Sequence, residues 1–209
     1  MLTVLIANPK GGCGKTTIAT NLAAAFANNG LATTIADVDK QKSSLGWLET
    51  RPDTAAPIKG VDWGGDVGKV GKKTARLVID SPAALSIKET KDYVRLADVV
   101  VVPILPSAFD QKTTAAFLEE LNLLKPVRKE RKAVALIRNR IRGRSRAAAR
   151  LDRFLIDRDL NGVTRLPDRA LYPELADRGL SLFDLKDQTS EPLRQDWWPL
   201  LRFIENAAA

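Results

Sequence analysis

Pro9-Lys10-Gly11-Gly12-Cys13-Gly14-Lys15-Thr16-Thr17, set directly behind an apolar run at residues 2–7, decides the fold of this 209-residue chain. It ends as the phosphate-loop pattern G-x-x-x-x-G-K-[ST] ends, lacks that pattern's first glycine, and carries a lysine, Lys10, at its front. Glycines let such a loop curl until consecutive backbone N–H groups face phosphate oxygens, while the lysine reaches the terminal phosphates and the hydroxyl ligates Mg²⁺. Lys15 and Thr16 take those two roles, and the backbone of Gly11, Gly12, Cys13, Gly14 and Thr17 supplies the cradle. The Ala-rich stretch at residues 16–28 reads as a helix whose positive N-terminal end adds to the same anion site. Strand, loop and helix in this order are the context that makes the motif a nucleotide site.

Working outward, short apolar runs alternate with amphipathic stretches. Residues 2–7, 33–38, 76–79, 99–104 and 133–137 are Val/Ile/Leu-rich and bounded by turn or polar residues, so they read as buried strands. Residues 16–28, 85–96, 113–124, 144–157 and 192–204 read as helices. The alternation predicts an α/β fold: a predominantly parallel, twisted sheet with helices on both faces, in one domain covering residues 1–209. Ligands of such sheets sit at the strands' carboxyl ends, where the loop already lies. Residues 52–73, with five glycines around Trp63, are the least regular segment and read mostly as a mobile loop with a short strand near residues 61–63.

Composition removes several classes. No run approaches the roughly 18 apolar residues needed to cross a bilayer, and the N-terminal run lacks a basic leader and a cleavage site. With no histidine and one cysteine, Cys13, the chain offers no intrachain disulfide, no structural zinc site and no iron–sulfur ligand set, and it is expected in the cytoplasm. The net charge is +8. Residues 125–158 hold thirteen basic side chains against Glu130, Asp152 and Asp157, a local balance of +10, so the remainder is slightly acidic. Such a concentrated patch suits a polyanion, with a solvated face as the plainer reading.

The stretch from Lys10 to Thr17 resembles the deviant Walker A motif of the ParA/MinD group of P-loop ATPases, and the likeness extends over residues 1–183. It implies ATP and Mg²⁺ as ligands. It also implies that Lys10 reaches across a dimer interface to the nucleotide of the other subunit, where a second cation would stabilise charge as an arginine finger does. Asp37-Val38-Asp39 resembles the Walker A′ element, often D-x-D-P-Q, with Lys40 in place of the φ-fixing proline and Gln41 retained. The likeness assigns Asp39 to positioning the attacking water. Asp37 then either supports the metal indirectly or caps a helix. Leu77-Val78-Ile79-Asp80, followed by Ser81-Pro82, resembles Walker B, so Asp80 would organise Mg²⁺ through water. Leu136-Ile137-Arg138-Asn139-Arg140 lies where family members run past the adenine, making Asn139 either a base contact or a turn residue.

At residues 144–158 Arg146, Arg150 and Arg153 share one helical stripe while Leu151, Phe154 and Leu155 face inward, and Arg138, Arg140, Arg142 and Arg144 precede them. This is a surface for successive phosphates without base readout. Together with the resemblance it implies a small ParA-type ATPase that forms an ATP-dependent homodimer and binds DNA nonspecifically. Such a protein is nucleoid-associated with ATP bound and answers to a cargo adaptor or ParB-like activator. The cargo stays open among plasmid, chromosome, carboxysome or another large assembly. No helix-turn-helix precedes the loop, unlike the large plasmid-type proteins. The rival classes are a MinD-like membrane switch and a small-molecule ATP enzyme. The C-terminal stretch carries Glu191, Asp196 and Glu205 against Arg194 and Arg202, too acidic for an interfacial helix, and is expected to pack on the body.

Overall fold

Among the described residues of the computed structural model, the apolar runs become seven parallel strands. They are β1 (Leu2–Ile6), β2 (Thr33–Asp37), β3 (Ile58–Asp62), β4 (Arg76–Asp80), β5 (Val99–Ile104), β6 (Ala133–Ile141) and β7 (Gly162–Pro167), in the order β3-β2-β4-β1-β5-β6-β7. The helices are α1 (Lys15–Asn28), α2 (Ser43–Glu49), α3 (Ile87–Leu96), α4 (Ala108–Leu123), α5 (Lys125–Arg128), α6 (Arg146–Ile156), α7 (Leu171–Ala176), α8 (Glu191–Gln195) and α9 (Trp198–Asn206). All residues are described except Gly65, Leu85, Glu130, Ala208 and Ala209, together with the side chain of Ile87. The glycine at 65, the helix start expected at Leu85 and the Glu130 of the charge count therefore lie outside the described residues.

Strand alternation sorts the core into two layers. Leu5, Leu77, Ile79, Val100 and Val102 point to one face, where Val94 of α3, Phe117 and Leu121 of α4 and Leu151 and Leu155 of α6 cover them. Val4, Ile6, Val78, Val99 and Val101 point to the other, under Ile18, Leu22 and Phe26 of α1 and Leu200 and Ile204 of α9. Burial on both faces is why β1 and β5 read as near-continuous apolar runs, interrupted in β1 by the buried Thr3. β1 lies between β4 and β5, so the chain changes direction across the sheet beside it, and a crevice opens at the carboxyl ends there.

Several boundaries differ from expectation for local reasons. The stretch at 192–204 is two helices, because Pro199 suits the first turn of a new helix and cannot continue an old one. Its Trp197 is fully buried and donates Nε1–H to the Tyr172 hydroxyl at 3.0 Å, so the tail does pack on the body. The glycine-rich segment is less loose than its composition suggests. β3 runs parallel to β2, and the buried Trp63 stacks on Tyr93 at 6.4 Å with Gly68 packed against its indole. β7, α2 and α7 have no counterpart among the expected elements.

Candidate nucleotide site

The loop between β1 and α1 has the backbone an anion cradle needs. Gly12 and Gly14 sit at φ +72 and +92, conformations open to glycine and strained for other residues. A Cβ at Gly14 would also collide with the Asn139 amide. Gly14 caps α1 without any side-chain hydrogen bond, leaving the helix's first N–H groups directed at the cleft. Lys15 is buried, and its Nζ donates to the Lys10 carbonyl at 3.0 Å, folding the ammonium back over the loop. Burial raises the pKa of the Cys13 thiol, opposed chiefly by Lys15, so Cys13 fills space as an unreactive thiol. From below, Asn8 donates to the Pro103 carbonyl at 2.7 Å and to Thr114 Oγ1 at 3.0 Å while accepting the Lys10 N–H at 2.9 Å, which pins the loop to β5 and α4.

The three carboxylates fall into distinct environments. Asp37, at the end of β2, is fully buried. It accepts from the N–H groups of Asp39 and Ser44 at 2.9 Å and Leu45 at 3.3 Å, and from the Ser44 hydroxyl at 2.6 Å. It is therefore the cap and anchor of α2, with Oδ2 committed to that helix and Oδ1 to the Asp39 N–H. Asp39 is half-buried, accepts the Gln41 N–H at 3.0 Å to close its own turn, and lines the same cleft as Lys15 and Thr16. Asp80 ends β4, level with Asp37 in the sheet register, and one of its buried oxygens has no hydrogen-bond partner. Burial pushes its carboxyl up to about 7, opposed by the Thr16 hydroxyl and Lys15 and reinforced by Asp37 and Asp39.

A desolvated carboxylate with one unpartnered oxygen, beside a loop hydroxyl, fits a hard cation that shares its shell with water and phosphate. No cluster of three or more His, Cys, Asp or Glu side chains able to hold a metal occurs among the described residues. Mg²⁺ does not require such a cluster, being bound typically through one or two carboxylates together with phosphate oxygens and water. The cleft is about 640 Å³, enough for a nucleoside triphosphate, and runs from the loop past Asn139 to Pro167, Asp168 and Tyr172.

Residues 4–182 match the CobQ/CobB/MinD/ParA nucleotide binding domain. The chain belongs to this family. It is 31% identical over 195 residues to the maintenance of carboxysome distribution protein A of Halothiobacillus neapolitanus, covering 88% of this chain and 87% of that protein. Its fold is that of the ATP complex of Cyanothece McdA (TM-score 0.73, 16% identity, 96% of each chain) and of the Aquifex aeolicus cell division protein MinD (TM-score 0.73, 16% identity, 97% of each chain). The chain is thus a ParA/MinD-family ATPase.

Around this ATPase site the structure divides the expected basic residues. Arg144, Arg146, Arg150 and Arg153 are exposed and form no ion pair among the described residues. Ala148, Leu151 and Leu155 bury the opposite side of α6. Arg138 is instead held by Asp152 at 3.0 Å, and Arg142 by Asp168 at 2.7 Å. Arg140 lines the nucleotide cleft, 3.6 Å from Asp168. Asn139 also lines it, its Nδ2 donating to the Cys13 carbonyl at 2.7 Å. Lys10 approaches Asp110 of α4 at 3.7 Å, with its side chain 40% exposed. Asn8, Asp110 and Asp168 were not legible as site residues, because each lies outside any phosphate-loop motif and reaches the site only through folding.

Proposed function

We propose that this ATPase cycles between a monomer and an ATP-bound sandwich homodimer, and that the dimer binds DNA nonspecifically and positions a large cytoplasmic assembly of the carboxysome class. Lys15, Thr16 and the loop backbone hold the phosphates, and Asn139 borders the base. Thr16 and Asp80 would hold Mg²⁺, which neutralises charge on the phosphates, with Asp37 supporting them through α2. Asp39 orients the attacking water, and Lys10 acts across the dimer. An adaptor on the cargo would stimulate hydrolysis and release the dimer from the nucleoid. The cargo class rests on the likeness to the carboxysome distribution protein. No described helix is long and apolar enough to cross a membrane.

The observation that carries the DNA reading is the row Arg146, Arg150 and Arg153 on α6. It is solvent-facing and unpaired among the described residues, at spacings of four and three that align on one helical face. Lysine-poor, unpaired and exposed, such a row meets backbone phosphates and leaves bases unread. The test is binding to random-sequence duplex and, in parallel, to anionic liposomes, each with ADP, ATP and a nonhydrolysable analogue. The expected result is duplex binding only with ATP or its analogue, weakening steeply with salt. Changing Arg146, Arg150 and Arg153 together to Glu should abolish duplex binding while ATP binding persists. Duplex affinity unchanged in that variant would remove the row, and liposome binding without duplex binding would make the protein a membrane switch.

A further inference from the structure

Two consecutive residues of β6 hold two consecutive carbonyls of the phosphate loop. Asn139 Nδ2 donates to the Cys13 carbonyl at 2.7 Å, and Arg140 Nη1 donates to the Gly12 carbonyl at 3.3 Å. A trans peptide carries its C=O and N–H on opposite sides. Drawing the Gly12 carbonyl toward β6 therefore turns the Cys13 N–H away from it, and drawing the Cys13 carbonyl does the same for the Gly14 N–H. Successive N–H groups aligned in this way form an anion nest.

The backbone at Arg140 is adapted to this reach. Its φ is +54, the left-handed region that a side chain disfavours, and the pairing of β6 with β7 breaks register between Arg138 and Ile141. Such a conformation persists where the surroundings over-determine it, and it marks places where a side chain must be aimed. The second edge of the guanidinium faces Asp168, just beyond β7, with Nε 3.6 Å from Oδ1. Asp168 lines the same cleft, and Arg142 holds its other oxygen at 2.7 Å. One planar fork thus spans the phosphate loop and the far wall of the nucleotide cleft, which the single ammonium of a lysine cannot do.

We propose that Arg140 is a positioning residue of the nucleotide site, orienting the loop's N–H groups and tying the loop to Asp168, and is not a member of the DNA-facing row. This goes beyond the cargo-positioning reading and stands whether or not DNA is bound.

The test compares Arg140→Gly and Arg140→Lys with the parent in three readouts: fluorescent ATP-analogue affinity, the split of ATPase activity between KM and kcat, and melting temperature without nucleotide. Glycine accepts the left-handed φ, so R140G should melt at or above the parent temperature while binding ATP about tenfold more weakly, the loss falling on KM. R140K keeps the charge without the fork and should stay several-fold weakened. Duplex affinity at saturating nucleotide should match the parent's in both. Unchanged ATP affinity in both variants would overturn the proposal. So would a loss of duplex affinity with ATP affinity intact, or a fall in melting temperature that accounts for the weaker binding. Should R140G fail to fold, the same readouts on R140K decide.

Discussion

Asp37, Asp39 and Asp80 share a charge and a corner of the fold, yet their partners make them different reagents. Asp37 is spent on three donors at the start of α2 and on the Asp39 N–H, and Asp80 has a buried oxygen without a partner. Asp39 alone combines partial exposure with a place on the cleft wall, where a carboxylate can take hold of a water. Asp39→Ala should therefore keep ATP binding and lower turnover by roughly 100-fold or more. Steady-state hydrolysis beside analogue titration checks this, and loss of binding would give Asp39 a different role. Backbone strain collects at the same place. Of the non-glycine residues with positive φ among those described, Lys42, Ala84 and Arg140 all stand in segments bordering the cleft, beside Ser43, Ala83 and Asn139.

α2 carries the Asp39 turn on its N-terminal side and is only seven residues long, too short to hold itself. It is clamped at both ends. Asp37 caps it at one end, and just past the other Arg51 forms a two-pronged pair with Asp184 at 2.7 and 2.9 Å, the two side chains 5% and 4% exposed. Arg51 also donates to the Ala56 and Gly179 carbonyls and lies over the Trp47 ring at 4.9 Å. Burial would raise the Asp184 carboxyl, but the Arg51 guanidinium, the Asn28 amide and the Ser181 N–H outweigh it and hold it below the usual carboxylate range. A depressed carboxyl adds stability above its unfolded value, near pH 4, and loses it as pH falls through the folded one. Arg51→Met leaves Asp184 buried without its cation and should cost about 3–5 kcal/mol at pH 7. The gap to the parent should narrow below about pH 4. Denaturant melts across pH 3–7 check both, and a gap independent of pH would detach Asp184 from Arg51.

For the molecule as a whole, the lysine at the front of the loop is the residue that the proposed function assigns to contact with a second copy. Lys10 is drawn toward Asp110 of α4 within its own chain, at a separation of 3.7 Å with much of the side chain in water, so the contact is weak and releasable. Asp110 itself is buried beside it. Lys10→Ala should leave nucleotide binding by the monomer near the parent's while reducing ATP-dependent dimer formation and partner-stimulated turnover. Light scattering with ADP and with a nonhydrolysable analogue reads this directly. A variant that dimerises and turns over like the parent would confine Lys10 to its own subunit.

Much of this was legible along the chain because its determinants are local. Strand, glycine loop, Lys15-Thr16 and Ala-rich helix are adjacent in sequence, and the runs ending in Asp37 and Asp80 carry their strand signal in their own side chains. The elements that escaped are short or half-buried. β7, Gly162–Pro167, mixes polar and apolar residues at a sheet edge, and α2 buries only Ser44 and Trp47. Reading alone also left Asp37 between metal support and cap, Asn139 between base and turn, and the arginines as one undivided patch. The sequence by itself therefore determined a nucleotide-binding parallel α/β fold and the identity of its phosphate loop, since periodicity and covalent spacing suffice for both. Only the tertiary structure decided which carboxylate is spent on α2, which arginines of α6 form no ion pair among the described residues, and that Asn139 and Arg140 grip a loop 126 and 128 residues away. Those assignments depend on which donors and acceptors meet once the sheet has brought β1, β6 and β7 to a common edge of the cleft.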